Sequence, residues 1–134
     1  MSCMNTKTFL MAAIVAASTC ALPAETVPPI ACNLKALSPA QRKQLGQLGE
    51  LVISAITASR ELDDGYKFQI DPAKASLMDV AQWLDVWRRC CPFYEFEIDI
   101  YAGDAGLSLS VKGRPGVKEY IRVDSPRLAK KLPK

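Results

Sequence analysis

The chain has 134 residues, 17 basic against 14 acidic side chains, a formal net charge of +3 and no histidine. So even a balance is not the concentrated basic surface that nucleic-acid binding uses, and no nucleic-acid partner is expected. Without imidazole, Ser-His-Asp and Cys-His catalysis are excluded, as is any histidine-ligated metal, leaving sulfur, carboxylate and backbone as the available chemistry.

Residues 1–24 read as an export signal: Lys7 supplies a weak positive start, 9–17 are apolar, and small residues with Pro23 follow. Cleavage is expected after Ala21 or Ala24. The apolar run is about half of the ~20 residues that cross a bilayer, so no stable membrane span is expected in the mature form. Ala17-Ser18-Thr19-Cys20 resembles a lipoprotein box, with Thr19 a poor fit before the cysteine; lipidation through Cys20 is the lesser alternative. About 110 residues remain, enough for one core. Export places them in the periplasm, where disulfides persist.

Residues 25–37, with Pro28 and Pro29, read as an extended lead-in carrying Cys32. Ser38, Pro39 and Gln41 then form a helix start with a capping box. Leu45, Leu48, Leu51, Val52, Ala55 and Ile56 recur at helical spacing. A short strand at 60–62, the turn Asp63-Asp64-Gly65 and an alternating strand at 66–70 make a hairpin. A second helix starts between Asp71 and Ser76 and runs to the double cysteine, with Leu77, Val80, Ala81, Leu84 and Trp87 as its stripe. Pro92 ends it.

The strand expected over 93–101 puts Tyr94, Phe96, Ile98 and Ile100 on one face and Glu95, Glu97 and Asp99 on the other. Those carboxylates read as a solvated outer face, since no loop adds the oxygens calcium requires. A turn at 102–106 leads to a strand at 107–111, then a short helix at 117–122 and a flexible basic tail at 124–134. Helix, hairpin, helix, hairpin and short helix predict a single α+β domain over 38–123. It is a two-layer sandwich with helices on one face of an antiparallel sheet of about four strands.

The cysteines carry the chemistry. Cys91 falls on the stripe of Leu77, Leu84 and Trp87, and Cys90 about 100° away beside Trp83. Cys91 is therefore expected to be buried, and Cys90 and Trp83 to present an interaction surface to a protein partner. Arg88 and Arg89 favour a thiolate there, whereas the helix C-terminus disfavours one. A Cys90–Cys91 bond is disfavoured because adjacent Cα atoms lie about 3.8 Å apart and disulfides prefer about 4.4–6.8 Å. Cys32 can bond either Cys90 or Cys91. Alternatively Cys32, Cys90 and Cys91 share one soft ion: zinc, copper(I), mercury(II) or arsenic(III).

Four motifs over residues 32–122 recur together: Cys32-x-Leu34, Asp64-Gly65-Tyr66-Lys67-Phe68, Cys90-Cys91-Pro92-Phe93 with Phe96, and Gly116-Val117-Lys118-Glu119-Tyr120. In this the chain resembles a small, poorly characterised bacterial family. The resemblance implies one intact domain and directs attention to Cys32, Cys90 and Cys91, but carries no activity with it. The export signal departs from the family pattern, many of whose members look cytosolic. The expectation is an exported binding protein, not an enzyme, that holds a soft metal or metalloid through cysteine thiolates. The alternatives are a protein-interaction module with a structural disulfide and a thiol redox protein.

Overall fold

Alternating apolar residues build four strands, β1 (Ile56–Glu61), β2 (Gly65–Ile70), β3 (Glu95–Ile100) and β4 (Leu107–Lys112). The structure is a computed structural model that describes residues 26–103 and 106–134. The export signal read over 1–24, including Cys20, lies outside them. The strands join in one antiparallel sheet of order β1-β2-β4-β3. Pairing of Tyr66 with Val111, Phe68 with Leu109 and Ile70 with Leu107 sets one continuous apolar face, and all six side chains are buried.

The other face is polar, as expected of Glu97 and Asp99. Lys112 pairs with Glu97 at 2.8 Å and Lys67 pairs with Asp99. Ser108 and Ser110 are buried between these pairs, and the Ser108 hydroxyl donates to Asp99 at 3.3 Å. Burial fades toward the end of the edge strand β3, where Ile100 is exposed.

The apolar face is covered by α1 (Pro39–Ser54), α2 (Leu77–Cys90) and α3 (Val117–Asp124), so the domain is the expected α+β fold. Ser38 with Gln41 and Ser76 with Asp79 each close a capping box. Helix α1 stops at Ser54, before the expected Ala55 and Ile56. The β-branched Ile56 and Thr57 enter β1 instead, with Ile56 opposite Ile70, and the Asp71 N–H donates to the Ala55 carbonyl at 2.9 Å. Leu77, expected on the α2 stripe, is partly exposed, while Trp83 and Val86 are buried. The apolar arc of α2 is wider than one stripe because it is covered by both the sheet and α1.

Two of the motifs act as joints. A Cβ on Gly65 would lie 2.1 Å from the Val111 carbonyl oxygen, so the turn glycine also permits the β2–β4 approach. Gly116 starts α3 at φ +100°. Lys118 in α3 then pairs with Glu61 at 2.6 Å and donates to the Leu62 carbonyl at 2.8 Å, tying the helix to the first hairpin.

The flexible tail expected over 124–134 requires correction. Pro126 opens a single turn, α4 (Pro126–Ala129), and Leu128 is buried in the core. The Ser59 hydroxyl donates to the Lys131 carbonyl. One apolar side chain per turn was enough to dock the segment, while Arg127 stays in solvent. The lead-in is docked as well: Arg114 donates to the Pro28 carbonyl, and a 3₁₀ turn (Leu34–Ala36) precedes α1. No helix among the described residues is long and apolar enough to cross a membrane.

Candidate functional site

The C-terminus of α2 and the lead-in meet at the cysteines. Cys91 is bonded to Cys32, with Cα atoms 4.6 Å apart. The lead-in is held against the helix end by the Asn33 N–H, which donates to the Cys90 carbonyl at 2.7 Å. The Cys32 N–H donates to the Tyr120 hydroxyl at 3.1 Å. Cys90 is a free thiol whose Sγ lies 3.5 Å from Cys91 Sγ and 3.3 Å from the Trp87 carbonyl oxygen, to which it donates. All three cysteines singled out in the sequence therefore converge, and of the two bridges left open Cys32–Cys91 is the one formed.

The expected accessibility of Cys90 is corrected. It is as buried as Cys91, each about 1 % exposed. A helical wheel leaves Cys90 on the outer side of α2, but the lead-in and the segment joining α3 to α4 close over that side. Trp83 is buried too, at 4 % exposure, because α1 packs directly on its indole: a Cβ on Gly49 would sit 3.1 Å from Trp83 Nε1.

Trp83 and Cys90 instead line the floor of a groove of about 570 Å³. Trp83 and Trp87 stack there with centroids 4.6 Å apart. Leu45, Gly46, Gly49 and Ile53 of α1 form one wall, residues 124–127 the other, and the Cys32–Cys91 bridge opens into the same space. Gly46, Gly49 and Asp124 were not anticipated. The two glycines a turn apart inside a helix were a readable signal, since each costs about 1 kcal/mol relative to alanine and so implies a close approach or a gap. Asp124 carried none.

Burial pushes the Cys90 thiol above its ordinary value, and the nearby Asp124 carboxylate acts in the same direction. Burial likewise raises the Tyr94 and Tyr120 hydroxyls, again with help from Asp124. Tyr94 Oη is buried without a hydrogen-bond partner. Because the folded-state value of Cys90 is raised, the stability it contributes is complete below the unfolded thiol value of about 8.5 and is lost as pH rises through the folded value. Denaturant unfolding between about pH 7 and about pH 10 should therefore show a decline that Cys90→Ala flattens near pH 9. An unchanged slope in the variant would mean that Cys90 is not the group responsible.

In the oxidised state one disulfide and one neutral thiol leave no open ligand set, and no group of three or more metal-ligating side chains is assembled among the described residues. Two electrons and two protons from a dithiol reductant would convert the same cluster into three thiols. Comparison with protein-family models, curated proteins and solved structures gives no match for this chain.

Proposed function

We propose that this is an exported binding protein that takes up a soft metal or metalloid ion at Cys32, Cys90 and Cys91 once the Cys32–Cys91 bond is reduced. The observation that carries this reading is the convergence of three sulfurs, two bonded and the third 3.5 Å from Cys91 Sγ. Thiolate ligands without imidazole suit zinc, copper(I), mercury(II) or trivalent arsenic. Binding displaces one proton per sulfur engaged, and the raised Cys90 thiol makes uptake favour higher pH. The export signal read in the sequence and the disulfide both support an oxidising compartment such as the periplasm, with the bridged form as the resting state. The domain acts by binding and not by turnover.

Titration of the mature protein with mercury(II) or arsenite, before and after reduction under anaerobic conditions, tests the reading. One equivalent should bind to the reduced form and none to the bridged form. Cys90→Ser should weaken the arsenite complex by about a hundredfold, a loss of the size seen when outer contacts alone are removed from metal sites and so a lower bound for a ligand. A reduced protein that takes up neither ion defeats the proposal.

The groove favours a second reading, a protein-interaction module in which the bridge is structural and Trp83 and Trp87 form the contact floor. That module would hold its partner equally well oxidised or reduced-and-refolded, and would ignore both ions. Redox cycling through Cys90 is less well supported, because a buried thiol with a raised pKa is a poor attacking group.

A further inference from the structure

Taking up the reduction that the three-sulfur reading requires, we infer that the bridge opens in one direction: an external thiolate bonds to Cys32, Cys91 departs, and Cys90 holds the departing sulfur. Cys32 is thus a site of thiolation, and Cys90 is a positioning residue for it. A disulfide is split at whichever sulfur the incoming thiolate can reach. Cys91 caps α2 inside the core and is about 1 % exposed, whereas Cys32 is only partly buried. Cys32 also lies outside any regular element, in the lead-in just before the 3₁₀ turn, and borders the groove. Attack at Cys91 requires the core to open first. Attack at Cys32 does not.

The obstacle in that direction is the leaving group. A thiolate at Cys91 puts charge where water is excluded, and an unpaired buried charge is costly. The C-terminal end of α2 adds to the cost, since its carbonyls repel negative charge. One donor is within reach: the hydrogen-bonding neighbour of Cys91 Sγ among the described residues is Cys90 Sγ, 3.5 Å away. In the bridged form the Cys90 S–H donates to the Trp87 carbonyl oxygen at 3.3 Å. Rotation about Cβ–Sγ of Cys90 turns the same hydrogen onto Cys91 without moving a heavy atom. The Trp87 carbonyl still accepts from the Cys91 N–H at 3.0 Å, so nothing is orphaned by the turn. Cys90 neither attacks nor ionises in this step.

The external thiol is the reductant. Its thiolate forms a sulfur–sulfur bond to Cys32, the Cys32–Cys91 bond breaks, and the electron pair of that bond stays on Cys91. Cys91 then takes from solvent the proton that the thiol gave up. A second thiolate attacks the sulfur bound to Cys32 and leaves with it as a disulfide, and Cys32 takes up the second proton.

The test uses the oxidised mature protein and two probes. Glutathione, a monothiol, locates the adduct by peptide mass after acid quenching, and dithiothreitol, which completes the reduction, gives the rate of opening. Glutathione should be found on Cys32 and not on Cys91. Cys90→Ala should slow opening by about tenfold, as expected for losing one hydrogen bond to a charged group. Cys90→Ser, whose hydroxyl also donates, should recover the unaltered rate even though it has lost arsenite affinity. A merely structural role predicts the opposite sign for alanine, since loosening at position 90 would expose the bridge and speed its opening. Glutathione on Cys91, or an alanine variant that opens as fast as the unaltered protein, overturns the inference. Arsenite uptake by the fully reduced protein does not depend on the route of reduction, so its failure defeats the three-sulfur reading alone.

Discussion

Cys32→Ser is expected to lower the free energy of unfolding by about 4 kcal/mol, the chain-entropy value for a bridge across a sequence separation of 59 residues. For a domain of this size that is roughly 15–30 °C in Tm and a large share of the ~5–15 kcal/mol that such domains possess. Cys32 is the better of the two bonded positions to replace, because it is only partly buried whereas Cys91 lies wholly in the core. Serine at position 32 therefore adds little penalty of its own. Without the bond, the lead-in keeps three polar contacts to the rest of the domain among the described residues, from Asn33 to Cys90, from Cys32 to Tyr120 and from Arg114 to Pro28.

Urea unfolding of the oxidised protein, the reduced protein and the variant provides the measurement. The reduced protein and Cys32→Ser should coincide, both well below the oxidised form. A variant within about 1 kcal/mol of the oxidised protein would mean that the bridge adds nothing in solution, because the unfolded chain is already compact or the bond does not form. The same experiment bears on function. A ligand that binds only the reduced folded form must restore stability in proportion to its concentration over its Kd. Arsenite should therefore raise the midpoint of the reduced protein and leave that of the oxidised protein unchanged.

Most of the framework could be read from local pattern. Ser38, Pro39 and Gln41 marked the start of α1, Pro92 the end of α2, and the alternation of Tyr66, Phe68 and Ile70 the inner face of β2. The sequence left open what depends on neighbours distant along the chain. The β2–β4 pairing that joins the hairpins is such a case, since either hairpin satisfies its own turn chemistry without the other. Cys90 is another: its position on α2 is helical arithmetic, but its burial is decided by the lead-in and by residues 124–127. The tail was misread because a run of basic residues dominates its composition, while a single leucine at position 128 decides its place. The groove was least legible of all. It is made by what α1 omits at Gly46 and Gly49, and an omission has no periodicity.

Trp87→Ala should cost about 3–5 kcal/mol, comparable to losing the bridge, by a different physical route. Trp87 is about 7 % exposed, and its ring centroid lies 4.6 Å from that of Trp83, 4.9 Å from that of Tyr94 and 5.2 Å from that of Phe96. Truncation opens a cavity inside this aromatic cluster, which the sheet on one side and α1 on the other prevent from collapsing. The backbone carbonyl that accepts from Cys90 is untouched, so the loss belongs to the ring and not to the thiol. Trp87→Phe keeps an aromatic face and should recover most of the stability. Trp83→Phe with Trp87→Ala should depart from additivity, since the two indoles are in contact. Urea unfolding, with near-ultraviolet circular dichroism to follow the indole pair, reads all three. A loss of about 1 kcal/mol or less in Trp87→Ala would mean that the cluster repacks. In that case the aromatic cluster beneath the groove would be deformable and not a fixed part of the core.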